Sequence, residues 1–127
     1  IEQMAPRGQE VIIGLKRDPG FGPVVMFGLG GIYVELFKDV SFRVAPVSAA
    51  EALEMIDETR AGKLLKGMRG AAAADLDAVV EVIIRLGQLA LDFPAILEAE
   101  VNPLLVFPAG QGALALDGRV ILRKQLN

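Results

Sequence analysis

Glu100 and Asn102 lie two residues apart in Ala99 to Phe107, a run that reads as a β-strand, so a carboxylate and a carboxamide oxygen face one side of a sheet. Pro108-Ala109-Gly110-Gln111 then reads as a turn into a returning strand, Ala113 to Leu122. If Phe107 pairs with Gly112 across that turn, Asn102 stands opposite Asp117, with Cβ atoms roughly 4.5–5.5 Å apart. Three hard oxygen donors then converge. Such a set suits Mg²⁺, which is held at about 2.0–2.1 Å, usually by one or two carboxylates together with substrate phosphates. The same letters also spell three polar residues on the solvated face of an ordinary hairpin, and a one-residue slip in register would turn Asp117 away.

A second group of residues has the chemistry to hold anions. Gly28, Gly30 and Gly31 let backbone N–H groups approach a phosphate or acyl phosphate closely, although an ordinary turn has the same composition. Arg17, Arg43, Arg69 and Arg119 can clamp phosphate or carboxylate through paired hydrogen bonds, with surface ion pairs as the alternative for each. Arg43 ranks high because it lies on a predicted half-buried strand. Asp18 and Glu10 have similar status, with turn capping and strand-edge solvation as the alternatives.

The elements that must position these groups are legible from pattern. Glu10 to Arg17 is a strand rich in β-branched residues, followed by the dense turn chemistry of Asp18-Pro19-Gly20-Phe21-Gly22-Pro23. Val24 to Phe27 resumes the strand, Ile32 to Phe37 continues extended, and Phe42 and Val44 alternate with Ser41 and Arg43. Ser48 and Glu51 form a capping box that starts a helix, whose apolar stripe is Ala49, Ala52, Leu53 and Ile56. Lys63 to Gly70 reads as a glycine-punctuated loop. Asp75 to Leu91 is a second helix with two apolar stripes, one through Leu76, Val79, Val80, Ile83 and Ala90 and the other through Val82, Leu86 and Leu89, so it is packed on two sides. The sum is an α+β fold, with a mixed, mostly antiparallel sheet flanked by two helices in one domain over residues 1–127.

Composition narrows the function. A chain of 127 residues suits one core. Its 13 basic and 16 acidic residues, net charge -3, offer no basic stripe to follow a nucleic-acid backbone. Without cysteine there is no disulfide, thiolate nucleophile or cysteine-bound zinc, and a cytoplasmic setting is compatible. Without histidine, any chemistry must rest on carboxylates, amides, backbone N–H groups, Lys and Arg. The least polar run, Pro19 to Val34, is broken by Gly and Pro and falls short of the ~20 apolar residues that span a bilayer, so no membrane span is expected. The hydrophobic share of 53% and the absence of an initiating Met suggest a piece that has a neighbour.

Glu98-Ala99-Glu100-Val101-Asn102-Pro103-Leu104-Leu105-Val106, followed by Leu116-Asp117-Gly118-Arg119-Val120, resembles the closing strands of ATP-grasp enzymes. The likeness is to the ADP-forming acetyl-CoA and acyl-CoA synthetases and their succinyl-CoA synthetase relatives. Three earlier blocks match that family in order: Lys16 to Pro23, Phe27 to Ile32, and Leu64 to Gly70. The resemblance implies the second ATP-grasp lobe, with Asn102 and Asp117 as ligands of the nucleotide-bound Mg²⁺. Glu100 is then either a third ligand or a carboxylate facing the transferred phosphoryl group. It also implies a phosphate-facing role for Arg69 in the matched glycine loop, and an inter-lobe hinge at residues 1–4 where Glu2 and Met4 contact adenine, a frayed terminus being the alternative. Gly118 departs from the family, which usually has Ala after the matching Asp; the change loosens the backbone without removing a ligand.

On the same resemblance, the chain takes part in converting acid, ATP and CoA to acyl-CoA, ADP and phosphate through an acyl phosphate and a phosphohistidine. The phosphohistidine, the CoA-binding domain or subunit, the CoA and carboxylic acid sites and the first ATP-grasp lobe then lie elsewhere, and half a cleft on its own is expected to be inactive. Two other readings fit the residues: a synthetase-like regulatory region of a multidomain protein acetyltransferase, and a non-catalytic module that binds partner subunits. A homo-oligomer is compatible with all three.

Overall fold

The computed structural model describes residues 8–29, 39–67 and 73–124. Strand β1 (Gln9–Asp18) turns into β2 (Gly22–Leu29), and Asp18 caps the turn, its Oδ1 accepting the N–H groups of Gly20 at 2.7 Å and Phe21 at 2.9 Å. Strand β3 (Val40–Val44) adds to the far side of β2. Three helices follow: α1 (Ala49–Asp57), α2 (Arg60–Leu65) and α3 (Leu76–Asp92). The chain closes with β4 (Ile96–Val106), β5 (Ala113–Ala115) and β6 (Gly118–Leu122). The sheet order is β3-β2-β1-β4-β5, with β6 also on β4, and every described ladder is antiparallel.

The capping box forms as expected: Ser48 Oγ accepts from Glu51 N–H while the Glu51 carboxylate accepts from Ser48 N–H, both at 3.1 Å. The segment expected to be loop from Lys63 is instead helical through Leu65. Two side chains supply the acceptors that this six-residue helix needs. Thr59 Oγ1 takes the Gly62 N–H at 3.0 Å, and Asp39 takes those of Arg60 at 2.9 Å and Ala61 at 3.1 Å. Gly62 is required by closeness, because a Cβ there would lie 1.8 Å from Ile56 O. The remainder of that expected loop, and the strand expected at Ile32 to Phe37, fall largely or wholly outside the described residues.

All the described helices pack on one face of the sheet. Val11, Ile13 and Leu15 of β1, Val25 and Phe27 of β2, and Ala99, Leu104 and Val106 of β4 meet Met55, Ile56, Leu65, Val79 and Ile83 in one apolar core. Val82 and Leu89 pack partly buried against it, so α3 is held on more than one side. The alternate residues, including Gly14, Lys16, Val24, Met26, Phe42, Glu98 and Glu100, point to the other face. No described helix is long and apolar enough to cross a membrane.

Candidate functional site at a break in the sheet

Along β4 the even-numbered residues change sides. Glu98, Glu100 and Asn102 are polar, whereas Leu104 and Val106 are buried in the core. In an unbroken strand all five would share a face. The register against β1 resolves the conflict: Ile13 pairs with Val101 and Val11 with Leu104, so Asn102 and Pro103 together oppose Ile12 in a β-bulge. The returning strand breaks at the same level, β5 ending at Ala115 and β6 starting at Gly118. What was expected as one strand from Ala113 to Leu122 is therefore two, with Leu116 and Asp117 between them.

Register across the break is that expected from the sequence. Phe107 N–H donates to Gly112 O at 3.0 Å, Leu116 N–H to Pro103 O at 3.0 Å, and Asn102 N–H to Asp117 O at 3.1 Å, while Glu100 pairs with Arg119. Glu100, Asn102, Asp117, Gly118 and Arg119 line a recess of ≈ 240 Å³. Asn102 Nδ2 donates to Glu100 Oε1 at 3.1 Å, which leaves the carboxamide oxygen as the free end. Asp117 Oδ1 accepts the Gly118 N–H at 2.8 Å, leaving its second oxygen open. The donor set is all hard oxygen and carries two negative charges, so its chemistry fits Mg²⁺. Among the described residues no three His, Cys, Asp or Glu side chains gather as a metal cluster, so a cation here depends on the carboxamide as well as the two acids.

A larger recess of ≈ 650 Å³ adjoins it and shares Glu100 and Arg119. Its floor includes Gly14, Val24, Met26 and Phe42, and its charged rim includes Lys16, Asp18 and Glu98. The ion pairs here are loose: Arg119 Nη2 is 3.7 Å from Glu100 Oε2, and Lys16 Nζ is 3.9 Å from Glu98 Oε1. Both basic groups are mostly exposed and free to face an anion.

A model of the ATP-grasp domain matches residues 1–122. The chain belongs to the ATP-grasp family. It is 50% identical over 122 residues to the beta subunit of acetate–CoA ligase [ADP-forming] I of Pyrococcus furiosus, covering 96% of this chain and 52% of that one. It is 45% identical over 126 residues to acetate–CoA ligase [ADP-forming] I of Archaeoglobus fulgidus, covering 99% of this chain and 18% of that protein. Among solved structures it is similar to the dinucleotide forming acetyl-coenzyme A synthetase 1 of Ca. Korarchaeum cryptofilum in complex with coenzyme A and Mg-AMPPCP. That match has a TM-score of 0.88 and 51% identity over 94% of this chain and 55% of the other. The chain thus spans about half of two of these relatives and under a fifth of the third.

The remaining candidates of this ATP-grasp chain fall in different places. Arg43 pairs across the sheet with Val25, on the helix-covered face, and both of its Nη atoms bond Glu58. The hydrogen bond to Glu58 holds the guanidinium pKa above its ordinary value and the Glu58 carboxyl below its own. The structure does not bring Arg43 to the triad. Arg17 is occupied by the fold: Nε donates to Ile96 O at 3.0 Å and Nη2 to Ala90 O at 2.8 Å, which caps a free carbonyl near the end of α3. Gly28 sits within β2, paired with Ile12 and Val40, and Glu10 is an exposed strand residue opposite Leu105. Glu2, Met4, Gly30, Gly31 and Arg69 lie outside the described residues. Sequence reasoning missed Lys16, and it ranked Arg119 below Arg43. Arg119 stands two residues after Asp117 on the returning strand, so the two-residue period already directed it to the triad's face.

Proposed function

We propose that this chain is the nucleotide- and Mg²⁺-holding lobe of an ADP-forming acyl-CoA synthetase, the class that converts an acid, ATP and CoA to acyl-CoA, ADP and phosphate. The observation that supports this most is the gathering of Glu100, Asn102 and Asp117 on one recess, in a family member whose relatives bear that activity in their names. Asn102 through its carboxamide oxygen, and Asp117 and Glu100 through carboxylate oxygens, are the groups that would hold Mg²⁺. When bound, the ion supplies neutralisation of the charge on the phosphate oxygens of ATP or ADP.

The protein's part is alignment. The bulge at Asn102-Pro103 aims the amide at the recess, and the paired strand brings Asp117 to meet it. Lys16 and Arg119 are the cations we assign to the polyphosphate along the larger recess. Glu100, next to Arg119, is either the third ligand or the carboxylate facing the transferred phosphoryl group. Glu2 and Met4 at the adenine, Gly30 and Gly31 at the phosphates, and Arg69 as a further clamp complete the set, whereas Arg43, bonded to Glu58 on the covered face, and Gly28, paired on both sides within β2, are left out of it. This chain has no histidine. On this reading the phosphohistidine, the CoA site, the acid site and the facing ATP-grasp lobe come from companion domains or subunits.

The test is Asp117→Asn in the intact protein, followed by ATP-dependent acyl-CoA formation. Losing one charge-stabilising group is expected to lower the rate by about 10²-fold or more, with little change in melting temperature. An unchanged rate would end the proposal. The 127-residue chain alone is expected neither to turn over nor to bind ATP at micromolar concentration, and either result would contradict the half-site reading.

A further inference from the structure

The ribbon that carries Asp117 is held by a residue outside it. Phe107 and Gly112 face each other where the ribbon turns, and Phe107 N–H donates to Gly112 O at 3.0 Å. The reciprocal rung is replaced by Asp75. Its backbone N–H donates to Phe107 O at 2.8 Å, and its Oδ2 accepts the Gly112 N–H at 2.8 Å. The other carboxylate oxygen, Oδ1, caps α3 by accepting from Ala78 N–H at 3.1 Å. Next to it, Ala109 N–H donates to Ala73 O at 3.0 Å, and Ala74 bridges to Pro108. One carboxylate therefore joins the start of the helix that crosses the core to the tip of the ribbon. Gly112 has φ +81, a conformation that side-chain-bearing residues resist, and its N–H goes to Asp75.

We infer that Asp75 is a positioning residue for the cation site: by completing the Phe107–Gly112 rung it fixes the register that sets Asp117 opposite Asn102. The claim rests on the site proposed above. Ribbon edges of this kind are prone to slippage, since β5 is three residues long and exposed on its outer side, and a slip of one residue reverses the side to which Asp117 points. Asp75 touches neither the recess nor the triad, so its effect is wholly on geometry.

The test compares three variants in the intact protein. Asp75→Ser keeps a helix cap but is too short to reach Gly112; Ser48→Ala removes the cap of α1 and serves as the control for stability alone; Asp117→Asn reports on the site itself. Hydrogen exchange is followed by mass spectrometry in peptides containing Asn102 and Leu116, and Mn²⁺ alone is titrated, with free ion counted by its electron spin resonance. Asp75→Ser is expected to speed exchange at those amides by about tenfold or more, the loss of a hydrogen bond to a charged acceptor. It should also weaken Mn²⁺ binding several-fold, while Ser48→Ala changes neither. Equal exchange in Asp75→Ser and the parent protein would overturn the inference. If Asp75→Ser does not fold, Asp75→Asn, which retains one acceptor oxygen, is judged by the same exchange criterion. Should Asp117→Asn leave Mn²⁺ binding intact, the cation reading fails, and the exchange result still decides whether Asp75 sets the register.

Discussion

The two faces of the sheet use polar groups in opposite ways. On the helix-covered face such groups are spent on the fold: Ser41 Oγ donates to Met55 O at 2.8 Å, Thr59 Oγ1 to Ile56 O at 3.0 Å, and Arg17 reaches the carbonyls of Ile96 and Ala90. Among the described residues no buried side-chain polar atom is left without a partner. On the open face Glu98 and Glu100 meet their cations only at 3.9 and 3.7 Å, and Asn102 and Asp117 keep oxygens free beside a recess. Groups committed to tight internal bonds stabilise; groups held in place by backbone and left short of partners are available to a ligand. The boundary between these regimes runs through β4 at the bulge, which lets one strand serve both.

The comparison breaks first if the faces prove energetically alike. Phe27 and Phe42 lie on adjacent strands, the former fully buried on the covered face and the latter 54% exposed on the open one. Phe27→Ala is expected to cost about 3–5 kcal/mol and Phe42→Ala within about 0.5 kcal/mol, read from urea unfolding. Similar costs would show the open face to be core. Glu100→Gln sharpens the same contrast from the other side. Its neutral amide keeps the shape, so stability should hold, while ATP-dependent acyl-CoA formation falls by about 10²-fold, equivalent to about 2.7 kcal/mol of transition-state stabilisation. A variant that unfolds but retains its specific activity while folded would assign Glu100 to structure.

Much of this arrangement was legible in the amino acids. The capping box, the two-striped helix and the Asn102–Asp117 register rest on local patterns, and each formed. The bulge was spelled out too, since polar residues at 98, 100 and 102 and apolar ones at 104 and 106 cannot share a face of a regular strand. Uniform strand alternation hides it, because the parity changes only at Asn102 and Pro103. Helix α2 was missed for a different reason: six residues carry too little periodicity, and one of its caps, Asp39, lies 21 residues before Arg60. Arg17 and Asp75 show the real limit. Their partners are 79 and 37 residues away, and no local pattern announces a tether that only the folded topology creates.

Tethers on the covered side supply the next measure. Arg17→Met keeps most of the apolar stem and removes two donors from partly buried carbonyls, so it is expected to destabilise by about 1–2 kcal/mol without altering the dependence of activity on Mg²⁺. A shift in Mg²⁺ dependence would mean that the two faces are coupled through β1.

The smallest expected effect concerns Asp75, where a covered-face tether controls an open-face site. Its carboxyl is held below the ordinary aspartate value, first by the Gly112 N–H and then by that of Ala78. A lowered value in the folded protein means that the unfolded chain takes up the proton first. The stabilisation from these bonds is then complete above the unfolded pKa and disappears as pH falls through the folded one. Urea midpoints measured from pH 7 down past about pH 4 should therefore drop in the parent protein, and drop less steeply in Asp75→Asn, which has no proton to gain at that position. Other depressed acids, Glu58 among them, are common to both proteins and cancel in the difference. Parallel curves would mean that the charge of Asp75 adds nothing to the folded state, and the link between the two faces would then have to run through the backbone contacts of Ala73, Ala74 and Asp75.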